Sequence, residues 1–194
     1  MAETRRILGI DPGSVTMGLG VVEVASSRQA HLYHAAVKTG GGELPKRLGV
    51  IVEAVAQVIV EWQPDEVAIE EVFVSANAMS ALKLGQARGA AICAAVQAQL
   101  PVSEYSARQV KQSVVGTGAA SKDQVQHMVK ALLQLEVEAL QADAADALAI
   151  ALCHAHSRTL RVPMGRRGNR RRGARRAVSE EALLRQVSAS KKTP

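Results

Sequence analysis

Aromatic residues are almost missing from this chain: one Trp, two Tyr and one Phe in 194 residues. A core has to be built from Val, Leu, Ile and Ala, and apolar residues do supply 47% of the sequence. Cysteine is as scarce. Cys93 and Cys153 fall within helical patterns and are expected as buried reduced thiols, not as a disulfide framework. No uncharged apolar run is long enough to span a bilayer. The start, Met-Ala-Glu-Thr-Arg-Arg, has no apolar signal core followed by a cleavage site. These absences exclude a membrane protein and a disulfide-stapled secreted one, and lead to the expectation of a cytoplasmic chain. Acidic residues are rare at one end only. Of the 24 Lys and Arg, 11 lie in residues 161–194 beside just 2 acids, so the first 160 residues are mildly acidic. A basic tail favours an anionic partner without naming it.

What is present reads as an α/β domain with an appendage. Residues 5–10 are an apolar, β-rich run, and Asp-Pro-Gly-Ser (11–14) is a turn. Residues 16–24 and 31–38 are expected as two more strands, divided by the polar stretch 26–29. Leu48, Ile51, Val55, Val58 and Ile59 recur at helical spacing within 44–61. A buried strand at 66–72, a small-residue helix at 77–99 and a strand at 101–104 follow. Helices are expected at 106–115, 122–135 and 142–157, the second opened by a Ser121/Gln124 capping box. The order β-β-β-α-β-α-β-α-α-α implies a mixed sheet flanked by helices. The division is residues 1–157 as one domain and 158–194 as a tail. Arginine and glycine in 165–176 leave nothing to bury, so disorder in isolation is expected there. Residues 179–187 carry a pattern for a short helix.

Four carboxylates in three separate stretches stand out. Asp11 ends the first strand. Glu70 follows Val67 and Ile69 and should face opposite to Ile69. Asp143 and Asp146 lie three apart on a helix and so share a face, close to its N-terminus, where the macrodipole also favours acids. Isolated buried carboxylates are costly and usually have a partner or a metal. Brought together, the four would make an oxygen-rich cage for Mg²⁺ or Mn²⁺, the equipment of a two-metal phosphodiester hydrolase. Glu71 is a neighbour whose membership of that cage stays open. Phe73, at a strand end beside Glu70 and followed by Ser75 and Asn77, is suited to stacking on a base. Lys111 and Lys122 flank the Gly116–Gly118 loop, where they would hold phosphates if they face the acids. Other chemistries fit less well. Gly-Thr-Gly-Ala-Ala-Ser-Lys (116–122) is no Walker A loop, because no Gly precedes the Lys and no Ser or Thr follows it. Cys153, His154 and His156 lack the second half of a zinc site. Gly13 and Gly18 after Asp11 only faintly match a phosphate cradle.

With these segments in view, residues 7–156 resemble the RuvC family of Holliday-junction resolvases. The match rests on Gly-Ile-Asp-Pro-Gly-Ser (9–14), Ala-Ile-Glu-Glu-Val-Phe (68–73), Ser-Ala-Leu-Lys-Leu-Gly-Gln-Ala-Arg-Gly (80–89), Ala-Arg-Gln-Val-Lys-Gln (107–112) and Gln-Ala-Asp-Ala-Ala-Asp-Ala-Leu-Ala (141–149). The resemblance implies a ribonuclease H-like fold with a mixed five-stranded sheet, a homodimer, and metal-dependent paired nicking of a four-way DNA junction in recombination and repair. It assigns Asp11, Glu70, Asp143 and Asp146 to the metal cage, Phe73 to the junction core, and Lys111 and Lys122 to the DNA. It also implies cooperation with the RuvA–RuvB branch-migration machine. Family members often carry an amide where Glu71 stands, and some a His where Asp143 stands, so this site is more negative. The Arg-rich tail lies outside the family pattern.

The expected reaction is hydrolysis of a phosphodiester by water with two metal ions, leaving 5′-phosphate and 3′-hydroxyl ends. Two equivalent strands suit two equivalent sites in a dimer, and helix 77–99, with Ala81, Gly85, Gly89 and Ala90, is the candidate interface. A sugar-kinase or actin-like ATPase would need a second phosphate loop and a paired domain, for which the chain is too short. The remaining alternative is a protein that binds branched DNA without cutting it.

Overall fold

The computed structural model describes residues 4–26, 28–72, 78–137 and 139–160. Phe73 and residues 161–194 lie outside these, and with them the stacking role and the tail. Ten elements follow the expected order: β1 (Thr4–Asp11), β2 (Thr16–Ala25), β3 (Arg28–Lys38), α1 (Leu44–Trp62), β4 (Glu66–Glu70), α2 (Ala78–Gln97), β5 (Val102–Tyr105), α3 (Ala107–Val115), α4 (Lys122–Leu133) and α5 (Ala142–Leu160). The five strands form one mixed sheet in the order β3-β2-β1-β4-β5. β1, β2 and β3 pair antiparallel, whereas β1 with β4 and β4 with β5 are parallel.

Strand alternation divides the core into two layers. Leu8, Ile10, Met17, Leu19, Val67 and Ile69 face α1 and α2, where they meet Ile51, Val55, Ala87 and Ala91. Ile7, Val22 and Ala68 face the other way, onto Val110, Val125, Leu148 and Leu152 of α3, α4 and α5. Asp11 continues the series of Ile7 and Gly9, and Glu70 that of Ala68, so both acids belong to the α5 side. β1 and β4 are in register at Ile10 and Ile69, which sets Asp11 beside Glu70 one step further on.

Alanine and glycine let α5 lie unusually close to the sheet. A methyl group added at Gly9 would stand 2.1 Å from the Ala147 carbonyl oxygen, and one at Gly18 would stand 1.9 Å from that of Asp143. At Gly20 it would meet the Leu148 side chain at 2.8 Å. Gly18 therefore seats a helix and does not cradle a phosphate.

Two expectations need correction. The polar stretch 26–29 does not all divide β2 from β3. Ser26 takes a positive φ of 57° and turns the chain at once, leaving Arg28 and Gln29 to pair with Ala25 and Val24. Cys93 is exposed, not buried, because it falls on the outward face of α2, while Cys153 is buried as expected.

Candidate active site

The C-terminal ends of β1 and β4, the first turns of α5, and the helices α3 and α4 converge at one edge of the sheet. Each element is fixed locally. Ser106 caps α3 with Gln109 in a reciprocal box, and Ser121 does the same for α4 with Gln124; each such box satisfies two otherwise orphaned N–H groups. Gly116, at φ 88°, closes α3 and turns the chain toward α4. In consequence Lys111 and Lys122 line the same cavity of ≈ 230 Å³ as Asp11, Glu70 and Asp146, with Val110, Val125 and Ile150 as its apolar floor. Asp143, one helical turn earlier, is not among the lining residues, but its charge acts on Asp11, Asp146 and Lys122. The turn after β1 is pinned from β3's end: the buried Thr39 hydroxyl lies 3.0 Å from the Ser14 carbonyl oxygen and 3.1 Å from that of Val15.

Electrostatics record how strained this packing of like charges is. Burial, then the charges of Glu70 and Asp146, push the Asp11 carboxyl up from 3.8 to about 8. A hydrogen bond with Glu70 and the charge of Asp143 add to the upward push. Glu70 is raised as well, chiefly by burial and further by Asp146, against the pull of that hydrogen bond and of Lys122 and Lys111. Asp146 carries an ion pair with Lys122 at 3.4 Å, yet burial outweighs the lysine and its carboxyl also rises. Lys122 is raised in turn, mainly by Asp146. Desolvation and like-charge contact are the two causes that disfavour carboxylate ionisation, and here both act at one point.

Among the described residues, no three His, Cys, Asp or Glu side chains are drawn into a ready metal cage. The donor chemistry nevertheless fits a hard divalent cation. All the acids offer oxygen, and the Lys122 ammonium beside Asp146 stands where positive charge is needed.

Sequence reasoning gave Arg88, within the 80–89 segment, no role of its own. From α2 its Nε donates to the main-chain carbonyl of Glu70 at 3.0 Å, and its guanidinium pairs with Glu104 of β5. The side chain is 20% exposed. Nothing in an Ala-Arg-Gly triplet announces a partner 18 residues upstream, so only the fold discloses it. His154, set aside as a zinc ligand, is buried between the Tyr105 hydroxyl (2.8 Å from Nδ1) and the Glu66 carboxylate (2.6 Å from Nε2), and Arg158 pairs with the same glutamate. His156 bonds Ser113.

Comparison with known proteins gives one family. The family described as "Crossover junction endodeoxyribonuclease RuvC" matches residues 7–154. A protein of that name from Aeromonas hydrophila is 56% identical over 161 residues, covering 83% of this chain and 92% of its own. One from Pelobacter propionicus is 59% identical over 156 residues, covering 80% and 88%. Among solved structures, "T. thermophilus RuvC in complex with Holliday junction substrate" is similar with a TM-score of 0.76 at 39% identity, over 80% of this chain and 96% of that one. The yeast mitochondrial Holliday junction resolvase Ydc2 shares the fold alone, at 12% identity and a TM-score of 0.59.

Proposed function

This chain belongs to the RuvC family, and from that premise we propose how its residues carry out the work of a crossover junction endodeoxyribonuclease: metal-dependent resolution of four-way DNA junctions by paired nicks, on a ribonuclease H-like fold. The observation that carries the reading is the convergence of Asp11, Glu70 and Asp146 with Lys111 and Lys122 on one cavity.

Asp11, Glu70, Asp143 and Asp146 would hold the cation, which we take to be Mg²⁺ or Mn²⁺, two per site. When bound, it supplies Lewis-acid stabilisation of the phosphodiester and lowers the pKa of water. The chain's own groups do the rest. Lys111 and Lys122 draw the scissile phosphate into the cavity and offset its charge. Lys122, whose side chain is 80% exposed, would turn from Asp146 to the phosphate. Asp11 would serve that cation in its carboxylate form, without the proton its burial favours. Phe73 is assigned to the junction core.

Two such sites are needed for two strands, and α2 is the surface we assign to the homodimer. Its inner face, Ala87, Ala91, Ala94 and Ala95, is buried in the core shared with α1 and the sheet. Its outer face leaves Met79, Leu82 and Val96 more than half exposed, with open space over Gly85 and Gly89. Apolar ends around a small-residue centre allow two helices to approach closely. RuvA–RuvB is the partner the family reading adds. No described helix is long and apolar enough to cross a membrane. The division into a nuclease domain, 1–157, and a basic tail, 158–194, completes the reading, with α5 itself running on to Leu160 and Arg158 paired with Glu66.

Cleavage of a synthetic four-way junction and a matched linear duplex, with Mg²⁺ or Mn²⁺, tests it. Paired nicks in the junction alone, abolished in Asp11→Asn while binding persists, are expected. Binding without cleavage by the unaltered protein under either metal would favour the non-cutting alternative.

A further inference from the structure

The catalytic constellation leaves one buried polar chain unexplained. Among the described residues only Thr39 and His154 are polar side chains buried in the fold. Thr39 pins the turn after β1. His154 Nε2 lies 2.6 Å from a Glu66 carboxylate oxygen, and Nδ1 lies 2.8 Å from the Tyr105 hydroxyl. A carboxylate only accepts, so the ring proton belongs on Nε2 and is donated to Glu66. In the neutral ring Nδ1 then accepts from the Tyr105 hydroxyl. The Tyr105 ring also meets the imidazole edge-on, with centroids 5.7 Å apart at 71°. Arg158 holds the Glu66 carboxylate.

The anchors of this chain are elements that carry or border the acids. His154 stands on α5, about 12 Å along the helix axis from Asp146. Glu66 opens β4, the strand that Glu70 closes. Tyr105 ends β5 and pairs in register with Glu70. Its main-chain carbonyl accepts from the Glu71 N–H at 2.9 Å. One imidazole therefore ties α5 to the start of β4 directly, and to the end of β4 through β5. From the other face of the sheet, Arg88 grips Glu104, the residue before Tyr105, and the Glu70 carbonyl. The last rung between β4 and β5 is clamped on both sides.

We propose that His154 is a positioning residue for the carboxylate cage: through Tyr105 and β5 it sets where Glu70 stands relative to Asp146. The proposal rests on the junction-cleavage reading. His154 acts through Tyr105, not on the phosphate. An apolar side chain would serve core packing alone, and apolar contact tolerates sliding. A hydrogen bond weakens steeply as its angle closes, so an imidazole held on both nitrogens fixes the spacing of what it joins. Buried polar links of this kind act as a unit only when every member is satisfied, and here both ring nitrogens are.

The test compares the full-length protein with Tyr105→Phe, His154→Gln, His154→Asn, and Tyr105→Phe combined with His154→Gln. Tyr105→Phe deletes one hydroxyl and keeps the ring. Gln carries its amide near the place of Nε2, so it keeps Glu66 and loses Tyr105. Asn puts its amide near the place of Nδ1, so it keeps Tyr105 and loses Glu66. Single-turnover junction cleavage, junction Kd without metal, Mn²⁺ affinity by calorimetry and Tm are measured for each. Tyr105→Phe and His154→Gln should each lower the cleavage rate or the Mn²⁺ affinity by about 10- to 100-fold, the scale of disturbing groups behind metal ligands. Junction Kd should hold constant. The combined variant should lose no more than either single one, because all three break one link. His154→Asn should recover most of what His154→Gln loses. Unchanged rate and Mn²⁺ affinity in Tyr105→Phe and His154→Gln would overturn the assignment, as would losses that follow Tm through all four variants. If the unaltered protein cuts no junction, the cleavage reading itself fails, and Mn²⁺ affinity still reports the placement of the acids; normal cutting by Tyr105→Phe and His154→Gln with unaltered Mn²⁺ affinity sinks only this inference.

Discussion

Burial and its acidic neighbours push the Asp11 carboxyl up to about 8, with two measurable consequences. An unfolded chain releases the same proton near the ordinary value of 3.8. Between those limits the folded state binds the extra proton, so its advantage is complete below about pH 4 and is lost as pH rises through 8. Thermal denaturation without metal should accordingly show Tm falling between about pH 4 and pH 8, and Asp11→Asn should flatten the fall. Cation binding needs the carboxylate, so Mg²⁺ or Mn²⁺ should displace the proton and bind more tightly as pH climbs. Calorimetry in buffers of different ionisation enthalpy reads the proton directly; a metal-binding heat that ignores the buffer would contradict it. The sequence disclosed these residues better than their state. Asp11, Glu70 and Asp146 were recognisable as misplaced charges in apolar settings. Their unequal titration depends on distances across three elements, which no local pattern carries.

Between elements, position is what matters most. Arg88 fastens the end of β4 to both α2 and β5, and the strongest charges on Glu70 are those of Asp146, Lys122 and Lys111. Its task is thus to place Glu70, not to tune it. Arg88→Met should lower kcat by up to about 100-fold, the scale of a 1 Å misplacement, with junction Kd and the pH profile kept. A shifted pH profile would assign Arg88 an electrostatic role instead. Gly18→Ala should displace α5 and cost roughly 1–3 kcal/mol, as overpacking does, measured by denaturant unfolding. Element boundaries followed closely from periodicity and caps: Pro64-Asp65, the Ser121/Gln124 box and the Leu48–Ile59 spacing all mark real edges. What remained hidden was tertiary. Gly18 looked like a phosphate-loop glycine because sequence shows what a residue permits, not what leans on it. The turn at Ser26 was hidden because a left-handed serine has no signature of its own.

At the scale of the molecule, charge is divided between a mildly acidic first 160 residues and a strongly basic remainder. If residues 166–176 touch phosphates, replacing their arginines by serine should reduce the salt dependence of junction binding, by about 0.9 in the log–log slope for each contact removed. An unchanged slope would detach the tail from the DNA. Leu82→Glu together with Val96→Glu should yield a monomer by sedimentation that still folds, since both side chains are exposed. The close seat of α5 on Gly9, Gly18 and Gly20 bears on how this molecule tolerates change. A survey of every substitution would find these three hydrogens nearly as irreplaceable as the acids, though they touch no substrate. In such a map, essential positions would trace two overlapping outlines: one of reagents, the other of the empty space that lets the reagents meet.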